Sequence, residues 1–205
     1  MQPTVLIVPG LRDAVPLHWQ TLLEARLRGS RRPVVSVPPM GRADLVCARR
    51  VAAIERVAQS ADGPIVIVAH SGGVAMVVHW AMQTCRPVHG ALLVTPPDLE
   101  RPMPQAYPGV QALRKGGWLP LPHFRLPFHS IVAGSRNDPL ASFGRVARMA
   151  QSWGSLLVDL GEVGHLNPAS GYGDWPMADQ LIERLVNGRC GVGASMAQQV
   201  CSNFA

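Results

Sequence analysis

Six short apolar runs rich in β-branched residues punctuate the sequence, at Thr4–Val8, Pro33–Val37, Ile65–Ala69, Ala91–Thr95, Ser130–Ala133 and Ser155–Asp159. Segments long enough for helices lie between them, near 16–28, 42–60, 72–84, 139–152 and 175–187. A strand that is apolar at successive positions must be covered on both faces, and a helix-length crossover makes the next strand parallel to it. The expected fold class is therefore α/β, a doubly wound, mainly parallel six-stranded sheet with helices on both faces. A chain of 205 residues suits one domain. That domain is assigned to 1–188, and the aperiodic stretch 189–205 is expected to be a flexible tail.

Two proline signals sharpen the helix starts. Pro16 ahead of Leu17-His18-Trp19, and Pro139 after Asp138, both suit the first turn of a helix, where the missing N–H costs nothing. Residues 96–128 break the alternation, with eight prolines and the pair Gly116-Gly117. A structureless excursion of this length inside a compact domain points to a lid or binding segment.

Composition excludes several classes. With 47% hydrophobic and 16% charged residues the chain is neither disordered nor fibrous. No apolar run approaches the roughly 18 to 20 residues that span a bilayer, and no basic leader precedes the first strand, so a soluble, unexported, cytoplasmic protein without a membrane partner is expected. Cys47, Cys85, Cys190 and Cys201 form neither C-x-x-C pairs nor a framework, which fits a reducing compartment. Cys47 falls on one helical face with Val51, Ile54 and Ala58, as a small buried thiol would. The formal charge of +6 comes almost wholly from the first sixty residues, where Arg26, Arg28, Arg31, Arg32, Arg49 and Arg50 lie. Such a basic region invites a nucleic-acid partner, but it lacks interleaved aromatics, and a solvated face is the better account.

The chemistry points elsewhere. The run Ile65-Val66-Ile67-Val68-Ala69-His70-Ser71-Gly72-Gly73-Val74 has a buried strand, a serine flanked by small residues, and then a helical pattern. This is the form of a nucleophile elbow. A serine at the tip of a sharp strand-to-helix turn brings the residues two before and two after it together, and Ala69 and Gly73 are small enough to fit. A serine hydroxyl needs a general base, and the base needs an orienting carboxylate, both later in the chain and each in a loop after a strand. Ser135-Arg136-Asn137-Asp138-Pro139 follows the fifth run, and Gly164-His165 follows the sixth. Ser71, Asp138 and His165 are thus the expected catalytic set, with Asp159, Glu162 and Asp174 as competing acids; Asp174 doubles as a candidate helix cap.

If the first and third strands are neighbours, the crevice at their carboxyl ends is the switch point where doubly wound sheets bind ligands. Pro9-Gly10-Leu11 leaves the first strand there, which makes the backbone N–H groups of Leu11 and Gly72 candidates for an oxyanion hole. His18, Trp19 and Trp118, with Leu119 and Phe124, are candidates for the substrate pocket, each with packing as the competing reading. His70 either fixes the elbow or packs. His123 and His129 have no ligand-like spacing, so no metal is expected. The phosphate-binding G-x-x-x-x-G-K-[ST] and the dinucleotide glycine pattern are both missing, so no cofactor is expected.

These motifs resemble the small single-domain serine hydrolases of the α/β-hydrolase superfamily, specifically the retinoblastoma-binding protein 9 family and its bacterial relatives. The resemblance spans most of 4–187. It is carried by Val8-Pro9-Gly10 with His18-Trp19, Ala69-His70-Ser71-Gly72-Gly73, Ser135-Arg136-Asn137-Asp138-Pro139, Gly164-His165 and Gly171-Tyr172-Gly173-Asp174-Trp175-Pro176. It implies strand order 2-1-3-4-5-6, a Ser71-Asp138-His165 triad, no metal, and hydrolysis of small esters or related acyl compounds. The family namesake's L-x-C-x-E binding motif is not carried over, because Leu45-Val46-Cys47-Ala48-Arg49 lacks the acid. The expected function is a carboxylesterase-like serine hydrolase acting on a small acyl substrate through an acyl-enzyme. The alternatives are a thioesterase or amidase, or a non-catalytic protein-binding scaffold on the same fold. The sequence leaves the oligomeric state open.

Overall fold

A computed structural model describes residues 2–11 and 15–188. The apolar runs form β1 (Thr4–Val8), β2 (Val34–Ser36), β3 (Ile65–His70), β4 (Val88–Val94), β5 (Ser130–Gly134) and β6 (Leu156–Asp159). They make one sheet in the order β2-β1-β3-β4-β5-β6, every neighbouring pair parallel. Side chains along a strand alternate between faces. Leu6, Val8, Ile65, Ile67, Ala69 and Leu93 therefore enter one core with α2 (Cys47–Ser60), α3 (Gly72–Trp80) and α5 (Phe143–Trp153). Val5, Ile7, Val66, Val68, Leu92 and Val94 enter the other with α1 (Trp19–Gly29) and α6 (Met177–Val186). Each fully buried side chain of this size contributes about 1.5–3 kcal/mol, so the two cores hold the central strands from both sides.

The expected α/β architecture and strand order are those observed. The helix starts need correction. Pro16 is not in the first turn of α1, which begins at Trp19 with His18 as its N-cap. Pro139 does not open α5, which begins at Phe143 under Ser142, whose hydroxyl accepts the Arg145 N–H. Asp174 caps nothing: the N-cap of α6 is Pro176, and Asp174 pairs with Arg26 instead. The 96–128 excursion is not structureless, since it contains a short helix, α4 (Val110–Lys115). The expectation of a tail at 189–205 lies outside the described residues.

The basic edge is largely compensated. Arg26 pairs with Asp174 and Asp179, Arg28 with Glu24, and Arg32 with Glu183. Arg50 is buried, its guanidinium donating to the carbonyls of Asp44 and Gly41. Cys47 is a free, buried thiol, raised to about 11 by burial against a smaller opposing effect of Arg50. Its neighbours Val51, Ile54 and Ala58 are buried on the same face. Cys85 is disulfide-bonded, which the spacing of the cysteines gave no reason to expect. Among the described residues no helix is long and apolar enough to cross a membrane.

The tightest backbone crossing lies where β1 and α3 meet. A Cβ placed on Gly73 would stand 2.6 Å from the carbonyl oxygens of both Val8 and Pro9. These are backbone atoms at the buried end of β1 and the residue after it, and cannot swing aside. Gly73→Ala is expected to destabilise the protein by about 2 kcal/mol or more, the range for forcing volume into a packed interior. Urea unfolding of the variant measures this, and a midpoint equal to wild type would contradict it.

Candidate active site

β3 ends at His70, and Ser71 turns the chain into α3 with φ 56° and ψ −130°. A positive φ at a residue with a Cβ is strained and has to be enforced by its surroundings. Three contacts enforce it. The Ser71 N–H donates to Val94 O at 2.9 Å, Gly73 passes under the Val8 and Pro9 carbonyls, and a Cβ on Gly10 would lie 3.2 Å from Ser71 Cβ. The turn presents the Ser71 hydroxyl at the carboxyl end of the sheet.

His165 faces it from the loop after β6. Its Nε2 lies 2.8 Å from Ser71 Oγ, while Nδ1 lies 3.0 and 2.9 Å from the two carboxylate oxygens of Asp138. Asp138 and His165 are both buried. With Asp138 accepting from Nδ1–H, the lone pair of Nε2 is directed at the serine hydroxyl. Asp138 is steadied in turn by the Leu140 N–H, 2.9 Å from Oδ1. Of the competing acids, Asp159 pairs with Arg136 and Asp174 with Arg26.

Several residues that hold this geometry, His70 apart, had no assigned role in the sequence. Asn137 Oδ1 accepts from the Gly164 N–H at 2.6 Å and from Ser135 Oγ at 2.9 Å, and Ser135 Oγ accepts from the Val163 N–H at 3.2 Å. These bonds sew the loop carrying Asp138 to the loop carrying His165. Ser170 Oγ accepts the His165 N–H at 3.1 Å and is itself held by Asn167. Gly164 has φ 58°, and a Cβ there would meet Ser170 Oγ at 2.6 Å. His70 reaches across from β3, Nε2–H donating to the His165 carbonyl at 2.9 Å. The motif Ser135-Arg136-Asn137 was legible; its function as a clamp depends on a loop 27 residues away.

Around these groups is a cavity of about 230 Å³, lined by Leu11, Leu99, Met103, Leu140 and other largely apolar residues, with Ser71 and His165 in its wall. Of the aromatic candidates only His18 lines it. Trp19 is fully buried beneath the site, edge-on to Trp175 and His70 at 4.9 and 5.8 Å between ring centroids. Trp118 is fully buried in the opposite core, its indole N–H donating to Leu45 O at 2.8 Å, and Leu119 and Phe124 pack with that core. An aromatic residue near a site in sequence packs wherever its area is best covered, and these pack inward. The apolar wall comes instead from the early part of the excursion, through Pro97, Leu99, Met103 and Tyr107.

Leu11 and Gly72 adjoin each other, since a Cβ on Gly72 would lie 3.4 Å from Leu11 N. The N–H of Gly72 is the first of α3, one of the four that no helix can satisfy internally. Among the described residues, no three His, Cys, Asp or Glu side chains cluster as a metal site.

His18 and His70 are held neutral. Burial, with His165 nearby, lowers His18 to about 4. Burial, then the neighbouring His165 and His18, puts His70 well below its ordinary value, against the smaller effect of its bond to the His165 carbonyl. In the unfolded chain both rings would take up protons near pH 6.5. Their contribution to stability is thus complete above that pH and is lost as the pH falls through the folded values. Unfolding free energy from urea titrations is expected to fall between about pH 6.5 and 4, and less steeply in His18→Asn. A wild-type profile that stays flat over this window would contradict the buried neutral rings.

The comparisons agree with this architecture. A family model described as serine hydrolase matches residues 5–184. Among solved structures, a hydrolase of Pectobacterium atrosepticum described as YdeN-like is 30% identical, with a TM-score of 0.73, over 90% of this chain and 91% of its own. The ydeN gene product of B. subtilis is 17% identical with a TM-score of 0.75, over 90% and 99% of the two chains. Est1E of Butyrivibrio proteoclasticus, solved with ferulic acid, is 11% identical with a TM-score of 0.65, over 91% and 88%. The last two are likenesses of fold. Comparison with curated proteins finds no match.

Proposed function

The chain belongs to the serine hydrolase family, and from that premise we propose that it hydrolyses small carboxylic esters through an acyl-enzyme on Ser71. The observation that carries this reading is the 2.8 Å approach of His165 Nε2 to Ser71 Oγ, with Asp138 behind Nδ1, at the wall of an apolar cavity. His165 takes the hydroxyl proton as Oγ attacks the ester carbonyl carbon. The N–H groups of Leu11 and Gly72 face the oxygen on which negative charge develops, and neither has an acceptor among the described residues. His165 then passes the proton to the departing alkoxide. Water, deprotonated by the same ring, adds to the acyl carbon and releases the acid and free Ser71.

Asp138 in this scheme fixes the tautomer and offsets the charge gained by His165. The cavity's size and apolar wall favour a short acyl chain. Residues 1–188 form the catalytic domain in this reading. The finer kinship with the retinoblastoma-binding protein 9 family rests on the Val8-Pro9-Gly10, His18-Trp19 and Gly171–Pro176 motifs and belongs to the same proposal.

Steady-state hydrolysis of p-nitrophenyl acetate tests it. Ser71→Ala is expected to abolish turnover while the protein stays folded. Asp138→Asn is expected to lower kcat by roughly 10⁴-fold, the cost of presenting the wrong tautomer. Wild-type turnover that survives in Ser71→Ala would remove Ser71 as nucleophile, and an unchanged rate in Asp138→Asn would remove the acid.

A further inference from the structure

Most polar side chains around the cavity already have partners. Gln20 donates to Val8 O and Val68 O at 3.1 and 3.0 Å, Asn167 accepts from Ser170, and His70 donates to the His165 carbonyl. His18 is different. Its Nδ1 accepts the Gln20 N–H at 3.2 Å as the N-cap of α1. That lone pair is committed, so the one proton of the neutral ring resides on Nε2. The ring is only 8% exposed and is pinned by His70 and Trp19, 4.7 and 5.6 Å away between centroids.

Among the described residues nothing accepts from Nε2 and no Asp or Glu lines the wall, although the ring stands in that wall beside Ser71 and His165. Nε2 is not walled off by protein, so this donor opens onto the cavity. Capping does not account for this second nitrogen, because an N-cap needs only one acceptor for the helix N–H. The imidazole supplies the cap through one nitrogen and leaves the other for whatever enters the cavity.

Resting on the esterase reading of Ser71, we propose that His18 Nε2–H positions the substrate, and that the substrate carries a second oxygen acceptor besides its scissile carbonyl. The scissile carbonyl has its own donors in the Leu11 and Gly72 N–H groups, so a third donor on this wall meets a different atom. The substrate class is an oxygen-bearing acyl compound, such as an alkoxy-, keto- or carboxy-substituted ester, and plain hydrocarbon acyl esters are poorer substrates.

Two esters of equal chain length test this, p-nitrophenyl methoxyacetate and p-nitrophenyl butyrate, in which an ether oxygen replaces one methylene. For wild type, the ratio of their kcat/KM values is expected to exceed the ratio of their hydroxide-catalysed rates by about tenfold, the size of one net hydrogen bond. Equality of the two ratios would overturn the proposal without any variant being made. His18→Asn keeps an acceptor for the Gln20 N–H but places no donor where Nε2 was. It is expected to melt within a few degrees of wild type and to lose the preference, and retention of the preference would overturn the proposal. Failure of the underlying reading is separate: neither ester would be turned over, and a fluorophosphonate would leave the folded protein unlabelled.

Discussion

Ser71 has a φ of 56°, in a region that costs a residue with a side chain on the order of 1–3 kcal/mol. Every other feature of the site depends on that conformation being held. The strain is borne by the most rigid part of the molecule: the parallel centre of the sheet, where β1 and β3 register residue by residue from Thr4–Ile65 to Val8–Ala69. Gly73 is the point at which this is transmitted, because its bare Cα lets α3 descend onto the Val8 and Pro9 carbonyls. A side chain there would lift the helix and release the turn.

The sheet edge then determines what can meet the serine. β4, β5 and β6 follow β3 in order on one side, so the loops after β5 and β6 arrive on that side of Ser71, one with Asp138 and the other with His165. β1 lies on the other side and delivers Gly10 and Leu11. Asn137 and Ser135 join the loops after β5 and β6 to each other, and His70 ties the end of β3 to the second of them. Burial keeps His70 and His18 uncharged, so neither sets a second positive charge against the proposed base when it takes up the serine proton.

Much of this was readable from residue order, because the signals were local. Apolar runs gave the strands, and Ala69-His70-Ser71-Gly72-Gly73 gave the turn, since small residues at fixed offsets are a steric requirement of the turn itself. Long-range pairing was not readable. Asp174 looked like a cap because a partner 148 residues away, Arg26, leaves no mark in its neighbourhood. Trp118 looked like a pocket residue because an aromatic in a proline-rich loop gives no sign of which way it turns, and it packs into the core with its N–H on Leu45 O. His18 was seen as a residue near the site, but its division of labour between two ring nitrogens follows only from the Gln20 contact.

The central claim is that the folded architecture makes one hydroxyl, that of Ser71, nucleophilic through His165. Intact-mass spectrometry after exposure to a fluorophosphonate, followed by peptide mapping, addresses it most directly. The account predicts a single adduct on the peptide containing Ser71 in the wild type and sharply slowed adduct formation in His165→Ala. A folded wild-type protein that gains no mass, or one whose adduct maps to another residue, would contradict it.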